Sequence, residues 1–218
     1  MARTFKTLQG CVPVKGIVLG PIDNNTYLIS DGKGALLVDP SSDAQAILRF
    51  LGDTTLDAIV LTHRHHDHVD AAAAVREATG AEVIASEVDA PRIEDPLPSD
   101  GGFAPCPVDR RVKDGDVVAL GGMRWKAIMT PGHTPGSMCL LLDAEGTDHP
   151  EKAPVLIAGD TLFFGSIGRT DFEGGDINAM RRSLRRLQTL PNETVVLPGH
   201  GNMTTIGAEQ RRVFSFYL

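Results

Sequence analysis

Residues 61–70 read LTHRHHDHVD, and they place four histidines and one aspartate within six positions, directly after the apolar run LDAIV. In an extended segment alternate side chains project to the same side, so we expect His63 and His65 to face one point. Asp67 and His68 begin the turn into the next helix and are expected to face a second point. Neutral imidazole and carboxylate are donors that suit zinc, iron and manganese, so this segment predicts ligands for two metal ions.

Three further apolar runs end in a residue that can bind a metal. They are RWKAIMTPGH, which ends at His133, PVLIAGD, which ends at Asp160, and ETVVLPGH, which ends at His200. A glycine precedes each of these three residues and lets the backbone turn sharply, which would aim the side chain inward. Side chains at the ends of neighbouring strands converge on one edge of an α/β sandwich, where ligands normally gather. The recurrence therefore predicts a single metal centre.

Composition limits the partners and the location. The chain has 218 residues, of which 42% are hydrophobic, enough for one domain over 1–218 with a substantial core. Its formal net charge of −7 argues against nucleic acid, because that affinity comes largely from cations that displace counterions. No apolar run approaches the roughly 18 residues of a membrane span, and the first residues lack an apolar signal segment. We expect a cytoplasmic protein that binds neither nucleic acid nor membranes and whose three separated cysteines are inert thiols.

Strands dominate the predicted secondary structure. TYLIS and ALLVD flank the turn DGKG and are expected to form a hairpin. Further strands are predicted at LDAIVLT, AEVIA, DVVAL, MRWKAIMT, SMCLLLD, APVLIAG and TVVLPG. Helices are predicted over 41–52, 71–80, 176–188 and near the C-terminus. The arginines of 176–188 are expected to face solvent, because its apolar residues recur at helical spacing. Residues 87–107, rich in proline, glycine and acid, are expected to form a long surface loop, His66 to lie near the surface, and His149 to lie on a polar loop.

In their order along the chain, THRHHDH, TPGHTPGS, GDTLFFGSIGRTD and PGHG resemble the metallo-β-lactamase fold superfamily, in particular its glyoxalase II-like (hydroxyacylglutathione hydrolase-like) branch. The resemblance covers nearly the whole chain. It implies an α/β fold, a four-layer αββα sandwich, that holds two divalent metal ions, with zinc favoured over iron and manganese. The implied ligands are His63, His65 and His133 for metal 1 and Asp67, His68 and His200 for metal 2, with Asp160 bridging the two.

The implied centre indicates a hydrolase. A hydroxide that bridges two metal ions is available at neutral pH, and Asp67 and Asp160 would orient it for attack on a carbonyl. A thiolate leaves as the anion, whereas an amine must first be protonated, so a thioester is favoured. We therefore predict a thioesterase for S-acylated low-molecular-weight thiols, such as S-2-hydroxyacylglutathione. Arg169 is the cation expected to bind an anionic thiol carrier, and a structural salt bridge with Asp171 is an equal alternative.

Three other hypotheses stay open at this point. Persulfide dioxygenases are similar in scaffold and share a GRTD element with this sequence. They use one iron ion held by two histidines and an aspartate. A hydrolase of another ester or of a lactone would use the same ligands. A metal-binding regulatory or assembly module would be marked by a missing ligand, and all seven are present. Antibiotic hydrolysis is not favoured, because β-lactamases of the zinc type usually carry cysteine where Asp160 stands.

Overall fold

The computed structural model describes residues 2–7, 9–145 and 147–218. Its strands are β1 (Arg3–Thr7), β2 (Val14–Leu19), β3 (Asn24–Ser30), β4 (Ala35–Val38), β5 (Ala58–Val60), β6 (Glu82–Ser86), β7 (Arg110–Val112), β8 (Val117–Leu120), β9 (Met123–Met129), β10 (Met138–Leu142), β11 (Val155–Gly159), β12 (Leu162–Phe163), β13 (Ser166–Ile167), β14 (Val195–Pro198) and β15 (Thr204–Thr205). Its α-helices are α1 (Ala44–Leu51), α2 (His66–Val69), α3 (Ala72–Thr79), α4 (Ala90–Glu94), α5 (Ile177–Gln188), α6 (Ile206–Glu209) and α7 (Ser215–Tyr217). A 3₁₀ turn covers Pro98–Asp100, and a π-helical segment covers Gln210–Phe214.

Two sheets form the centre of the fold. The first has seven strands in the order β1-β2-β3-β4-β5-β6-β7, antiparallel from β1 to β4 and parallel from β4 to β7. The second has six strands in the order β15-β14-β11-β10-β9-β8, in which only β11 and β14 are parallel neighbours. β12 and β13 form a separate antiparallel hairpin.

The side chains of the central strands alternate between two apolar layers. In β4, Leu36 and Val38 join the cluster between the sheets, whereas Leu37 packs with the outer helices α1, α3 and α4. In β10, Leu140 joins the intersheet cluster, and Cys139 packs with α5 and the C-terminal helices. Strands buried on both faces read as continuous apolar runs, as these do. The resulting layers are helix, sheet, sheet and helix, which confirms the predicted αββα sandwich.

Most of the predicted helices and strands are present. The hairpin of β3 and β4 and the helices α1, α3 and α5 lie where the sequence predicts them. Asp43 caps α1 by accepting a hydrogen bond from the N–H of Ala46 (3.0 Å), and Asp176 caps α5 through the N–H groups of Asn178 and Ala179. The apolar side of α5 is buried and its arginines are exposed, as expected. His149 lies between β10 and β11, half exposed.

The prediction of a surface loop over residues 87–107 is wrong. The segment contains α4 and the 3₁₀ turn, and it buries Asp89, Ile93, Phe103 and Cys106 completely or nearly so. Proline and glycine end its short elements, so the composition resembles that of an exposed loop. Ile93, Phe103 and Cys106 nevertheless pack in the apolar layer on the outer face of the first sheet. The sequence analysis also did not identify β1, β2, β7 and the short strands β12, β13 and β15.

Every helix in the described parts of the chain is too short or too polar to cross a membrane.

Trp125, the single tryptophan, lies in β9 with its ring completely buried between the sheets. Its indole N–H has no hydrogen-bond partner among the described residues. We expect Trp125→Ala to lower the free energy of unfolding by about 3–5 kcal/mol. Trp125→Phe should cost only about 1 kcal/mol, because removing an unpaired buried N–H recovers part of the loss of packing. Urea denaturation followed by circular dichroism measures both, and equal losses would show that the N–H is paired in solution.

Candidate metal centre

The strands deliver the predicted ligands to one edge of the sandwich. β9, β11 and β14 run in the same direction, because β11 pairs parallel with β14 and β10 lies antiparallel between β9 and β11. Beyond their carboxyl ends lie His133, Asp160 and His200. In the first sheet, β5 ends shortly before His63. His65 immediately precedes α2, and Asp67 and His68 lie in α2. The structure thus brings residues from both sheets to one place.

The first group consists of His63, His65 and His133. One donor atom from each lies within 4.8 Å of the others. Nδ1 of His65 is 2.7 Å from Nε2 of His133. The Nδ1 atom of His133 faces the backbone oxygen of Arg169 at 2.7 Å, so its Nε2 atom is the one left to face the group.

The second group consists of Asp67, His68 and His200, again with one donor atom from each within 4.8 Å of the others. The Nε2 atoms of His68 and His200 are 3.1 Å apart, and Oδ2 of Asp67 lies 3.4 Å from Nε2 of His200. His68 is completely buried, whereas Asp67 and His200 are partly exposed. This group is therefore the more open to solvent at its outer side.

Asp160 lies between the two groups. Its Oδ1 is 3.4 Å from Nε2 of His68, and its Oδ2 is 3.3 Å from Nε2 of His200 and 3.4 Å from Nε2 of His133. A carboxylate with oxygens toward histidines of both groups has the placement that a bridging ligand requires. The bridging role of Asp160 stays a prediction.

The buried polar atoms of the centre fit divalent cations. Among the described residues, Nε2 of His63 and Oδ1 of Asp160 are buried without a hydrogen-bond partner. Buried polar atoms are normally paired, so unpaired donor atoms inside a histidine and carboxylate cluster indicate a ligand. The donors are nitrogen and oxygen, which zinc, iron and manganese accept.

Two glycines make room for this arrangement. Gly159 has a φ of +47°, and a Cβ there would lie 2.5 Å from Oγ1 of Thr62. A Cβ on Gly199 would lie 2.2 Å from Oδ1 of Asp160. The role of Gly159 as a sharp turn agrees with the sequence analysis. Gly199 instead serves by its small size, because any side chain there would occupy the space next to Asp160.

Two supporting residues are absent from the sequence analysis. Asp39 is buried at φ +46° and accepts hydrogen bonds from the Thr62 N–H and hydroxyl (2.8 and 2.7 Å), and its Oδ2 is 3.1 Å from Nδ1 of His68. Asn24 donates from Nδ2 to Oδ2 of Asp67 at 2.9 Å. Such partners orient ligand side chains. The sequence contains a signal for Asp39, because this residue ends the apolar run ALLVD just as the predicted ligands end their apolar runs. It contains no such signal for Asn24.

Burial and neighbouring charges lower the pKa of His63 and His65 and raise that of His200. Burial, followed by the charge of His133, lowers the pKa of His65 to about 4, and burial lowers that of His63 well below its usual range. Burial alone would also lower the pKa of His200, but hydrogen bonds to Asp160 and Asp67 outweigh it and raise this pKa to about 10. Burial opposes ionisation of Asp67, yet His200 and His68 hold its pKa well below the usual value.

A pocket of about 590 Å³ opens above the centre. Its floor includes His65, Asp67, His133, Asp160 and His200. The apolar residues of its lining are Ile22, Phe163, Ile167 and Phe172. The Phe163 ring centroid lies 5.8 Å from that of His200, and the Phe172 ring centroid lies 5.6 Å from that of His65. The charged residues of the rim are Arg64, Asp100, Arg169 and Glu173. The pocket can therefore admit a small molecule with an apolar part and a polar reacting group.

The C-terminal helices support the hairpin that carries Phe163, one of the apolar residues of the pocket lining. Glu209 is completely buried, and its Oε2 accepts a hydrogen bond from the N–H of Gly165 in the β12–β13 turn at 3.0 Å. Arg212 pairs with Glu209 at 3.0 Å and lies 4.2 Å above the ring of Phe164. The hairpin that carries Phe163 is thus fastened to the end of the chain.

Arg169 and His66 also line the pocket. Arg169 forms a two-point salt bridge with Asp171 (2.9 and 2.7 Å), and its guanidinium lies 4.1 Å above the ring of Phe172. Its side chain remains 63% exposed, so both the salt bridge and access to the pocket are present. Binding of a substrate by Arg169 stays a prediction.

His66 is mostly exposed and packs against Gly101, in agreement with the expected surface position.

Residues 19–200 match the family model of the Metallo-beta-lactamase superfamily. The chain belongs to this superfamily. Membership confirms the predicted family and supports the predicted class of metal-dependent hydrolases at this level. An uncharacterized protein of Aquifex aeolicus is 39% identical over 90% of this chain and 93% of its own. The hydroxyacylglutathione hydrolase GloC of Haemophilus influenzae is 32% identical over 86% and 90%.

Solved structures of the superfamily share the fold. BLEG-1, a B3 metallo-beta-lactamase, has a TM-score of 0.81 and is 35% identical over 92% of this chain and 98% of its own. TTHA1623, in a di-iron-bound form, has a TM-score of 0.76 and is 38% identical over 90% and 97%. ETHE1 from Myxococcus xanthus has a TM-score of 0.69 and is 32% identical over 97% and 82%.

We expect metal binding at pH 7 to release about one proton from His200. With its pKa at about 10, this side chain is protonated in the metal-free protein, and an ion must displace that proton. Apparent affinity for the second group should accordingly rise as the pH increases from 7 to 10. Calorimetry in buffers of different ionisation enthalpy counts the protons released.

The matched variants are His200→Ala and His65→Ala. Loss of His200 should lower the proton count by about one, whereas loss of His65 should leave it unchanged, because a pKa of about 4 makes this ring neutral at pH 7. Equal counts in the two variants would contradict the assignment.

Proposed function

We propose that the protein is a dinuclear metal-dependent thioesterase that cleaves S-acylated low-molecular-weight thiols, such as S-2-hydroxyacylglutathione. The observation that carries the proposal is the position of Asp160 between two groups of three ligand-type residues, at the floor of an open pocket. His63, His65 and His133 would hold one ion and Asp67, His68 and His200 the other, with Asp160 shared. We propose zinc as the metal.

The bound ions would supply Lewis acidity, which polarises a carbonyl and makes water a nucleophile at neutral pH. The chain would hold the reacting groups in place. Asp67 and Asp160 line the floor of the pocket, and both have a lowered pKa, because His68 and His200 outweigh the effect of burial. Both carboxylates are therefore ionised at neutral pH and can accept a hydrogen bond from the attacking water. Asn24 fixes one of them by donating to Oδ2 of Asp67.

The side chains around the pocket favour a leaving group that needs no proton. Asp100 accepts two hydrogen bonds from the guanidinium of Arg92, and Glu173 pairs with the same side chain at 3.3 Å. Arg92 and the Leu97 N–H lower the pKa of Asp100 although burial opposes them, so this carboxyl is a poor proton donor. A thiolate departs as the anion, because its parent thiol has a pKa of about 8.5. A thioester is therefore the acyl substrate that suits this pocket.

The likeness to the hydroxyacylglutathione hydrolase of Haemophilus influenzae supports this choice of substrate. The three cysteines are buried and are absent from the lining of the pocket, which agrees with attack by water rather than by a protein thiol. The likeness to BLEG-1 adds β-lactams to the substrates that an assay must include.

The second candidate is the mononuclear iron persulfide dioxygenase predicted from the sequence. The likeness to TTHA1623, of which a di-iron-bound form is known, supports iron as the metal, whereas the two ions of that form match the metal count of the thioesterase. The two candidates differ in metal content, since the dioxygenase needs one iron ion and the thioesterase two divalent ions.

We expect protein purified without added metal to contain about two divalent ions and to hydrolyse S-2-hydroxyacylglutathione without consuming oxygen. Mass spectrometry gives the metal content, absorbance at the thioester band gives hydrolysis, and an oxygen electrode with glutathione persulfide tests the alternative. A lactone and a β-lactam serve as further substrates. One iron ion with persulfide-dependent oxygen uptake would establish the dioxygenase instead, and turnover of only the β-lactam or the lactone would also overturn the proposal.

We expect Arg169→Ala to raise KM for a glutathione thioester about tenfold with little change in kcat, because a hydrogen bond to a charged group contributes about 1.5–3 kcal/mol. The same acyl group on N-acetylcysteamine, an uncharged carrier, should show no change in KM. Arg76→Ala is the matched control, because Arg76 forms a comparable two-point pair with Asp109 outside the pocket. An unchanged KM for both thioesters would assign Arg169 only its salt bridge with Asp171.

A further inference from the structure

Asp89 is a completely buried carboxylate immediately before α4, in the segment that composition predicts to be a surface loop. At this position an aspartate commonly caps its own helix by accepting a hydrogen bond from a backbone N–H. The Asp89 side chain makes no such bond. The carboxylate instead directs both of its oxygens away from α4.

Both oxygens of Asp89 bind the segments that carry the first histidine group. Oδ2 accepts hydrogen bonds from the N–H of Arg64 at 3.1 Å and from the hydroxyl of Thr134 at 2.7 Å, and Oδ1 accepts one from the N–H of Gly136 at 3.0 Å. Arg64 lies between His63 and His65, and Thr134 follows His133. One carboxylate therefore connects the chain on both sides of the 2.7 Å contact between His65 and His133.

The surroundings of Asp89 are shaped to its side chain. A Cβ on Gly136 would lie 2.5 Å from Cγ of Asp89, so only glycine leaves the space that the carboxylate fills. Nη1 of Arg64 is 3.7 Å from Oδ1, and the arginine side chain is only 9% exposed, which provides a buried countercharge. Nη2 of Arg64 donates to the backbone oxygen of Glu173 at 3.1 Å and so extends the connection to the pocket rim.

We propose that Asp89 is the positioning residue of the first histidine group: its two carboxylate oxygens hold the segment of His63 and His65 at a fixed distance from the segment of His133. This inference rests on the metal-binding part of the proposed function and not on the identity of the substrate. A metal site needs its donor atoms aimed at one point, and loss of residues that orient ligands commonly lowers metal affinity by about 10- to 100-fold.

The test is metal affinity, measured by competition with a chromophoric chelator for Zn²⁺ and by the absorption spectrum with Co²⁺. In Asp89→Asn an amide N–H₂ replaces one oxygen and faces N–H or O–H donors. We expect the affinity of the first group to fall by about 10- to 100-fold, with a changed Co²⁺ spectrum, while the second group keeps its affinity. His65→Ala identifies the titration step that belongs to the first group.

Asp109→Asn is the matched control. Asp109 accepts a hydrogen bond from the Val83 N–H and pairs with the guanidinium of Arg76, at the opposite end of β6 from the centre. Its loss removes the same kinds of contact and should leave both metal affinities unchanged. An Asp89→Asn protein with wild-type affinity for both ions would overturn the proposal, and so would an equal loss in Asp109→Asn.

A second pair of variants tests the same contact without touching the carboxylate. Thr134→Val keeps the volume and removes the hydroxyl donor, whereas Thr134→Ser keeps the donor. We expect Thr134→Val to weaken the first group and Thr134→Ser to retain its affinity, and the reverse order would show that Thr134 serves only packing. If the wild type binds two ions but hydrolyses no thioester, the proposed substrate fails while this test still decides the role of Asp89.

Discussion

The apolar contact between the inner faces of the two sheets determines where the predicted ligands lie. Each Val, Leu or Ile side chain that is fully buried there contributes about 1.5–3 kcal/mol, so the two sheets form one rigid body. That contact sets the end of β5 opposite the ends of β9, β11 and β14. The histidines and aspartates then need only short turns to meet, and residues supplied by both sheets form one centre without long flexible arms.

The centre brings buried polar groups close together, which is unfavourable in a protein interior. The nitrogens of His65 and His133 are 2.7 Å apart, those of His68 and His200 are 3.1 Å apart, and Asp160 lies among them almost completely buried. Burial of polar atoms without partners is unfavourable, so the surrounding layers must hold these side chains in place. Two buried carboxylates hold them. Asp39 orients His68, and Asp89 connects the two segments of the first group.

The sequence was sufficient where the pattern is local. Strands such as β4 and β11 are continuous apolar runs, α5 has helical spacing, and each segment with ligand-type residues comes after a strand. The sandwich and the grouping of these residues could therefore be predicted. The role of segment 87–107 could not. Its burial depends on contacts with Arg64, Thr134 and Gly136, which lie far away in sequence. Asn24 could not be predicted for the same reason, because its Nδ2 donates to the backbone oxygen and to Oδ2 of Asp67, which is distant in sequence.

The fastening of the β12–β13 hairpin by Glu209 has a consequence for the order of assembly in the cell. A ribosome makes the chain from its first residue, and His63 emerges long before the hairpin that forms the pocket wall. The hairpin contacts Glu209 and Arg212, which follow it in the chain, so this fastening forms only after they have been made. During synthesis the histidine segment is therefore made well before the residues that fasten this part of the pocket lining.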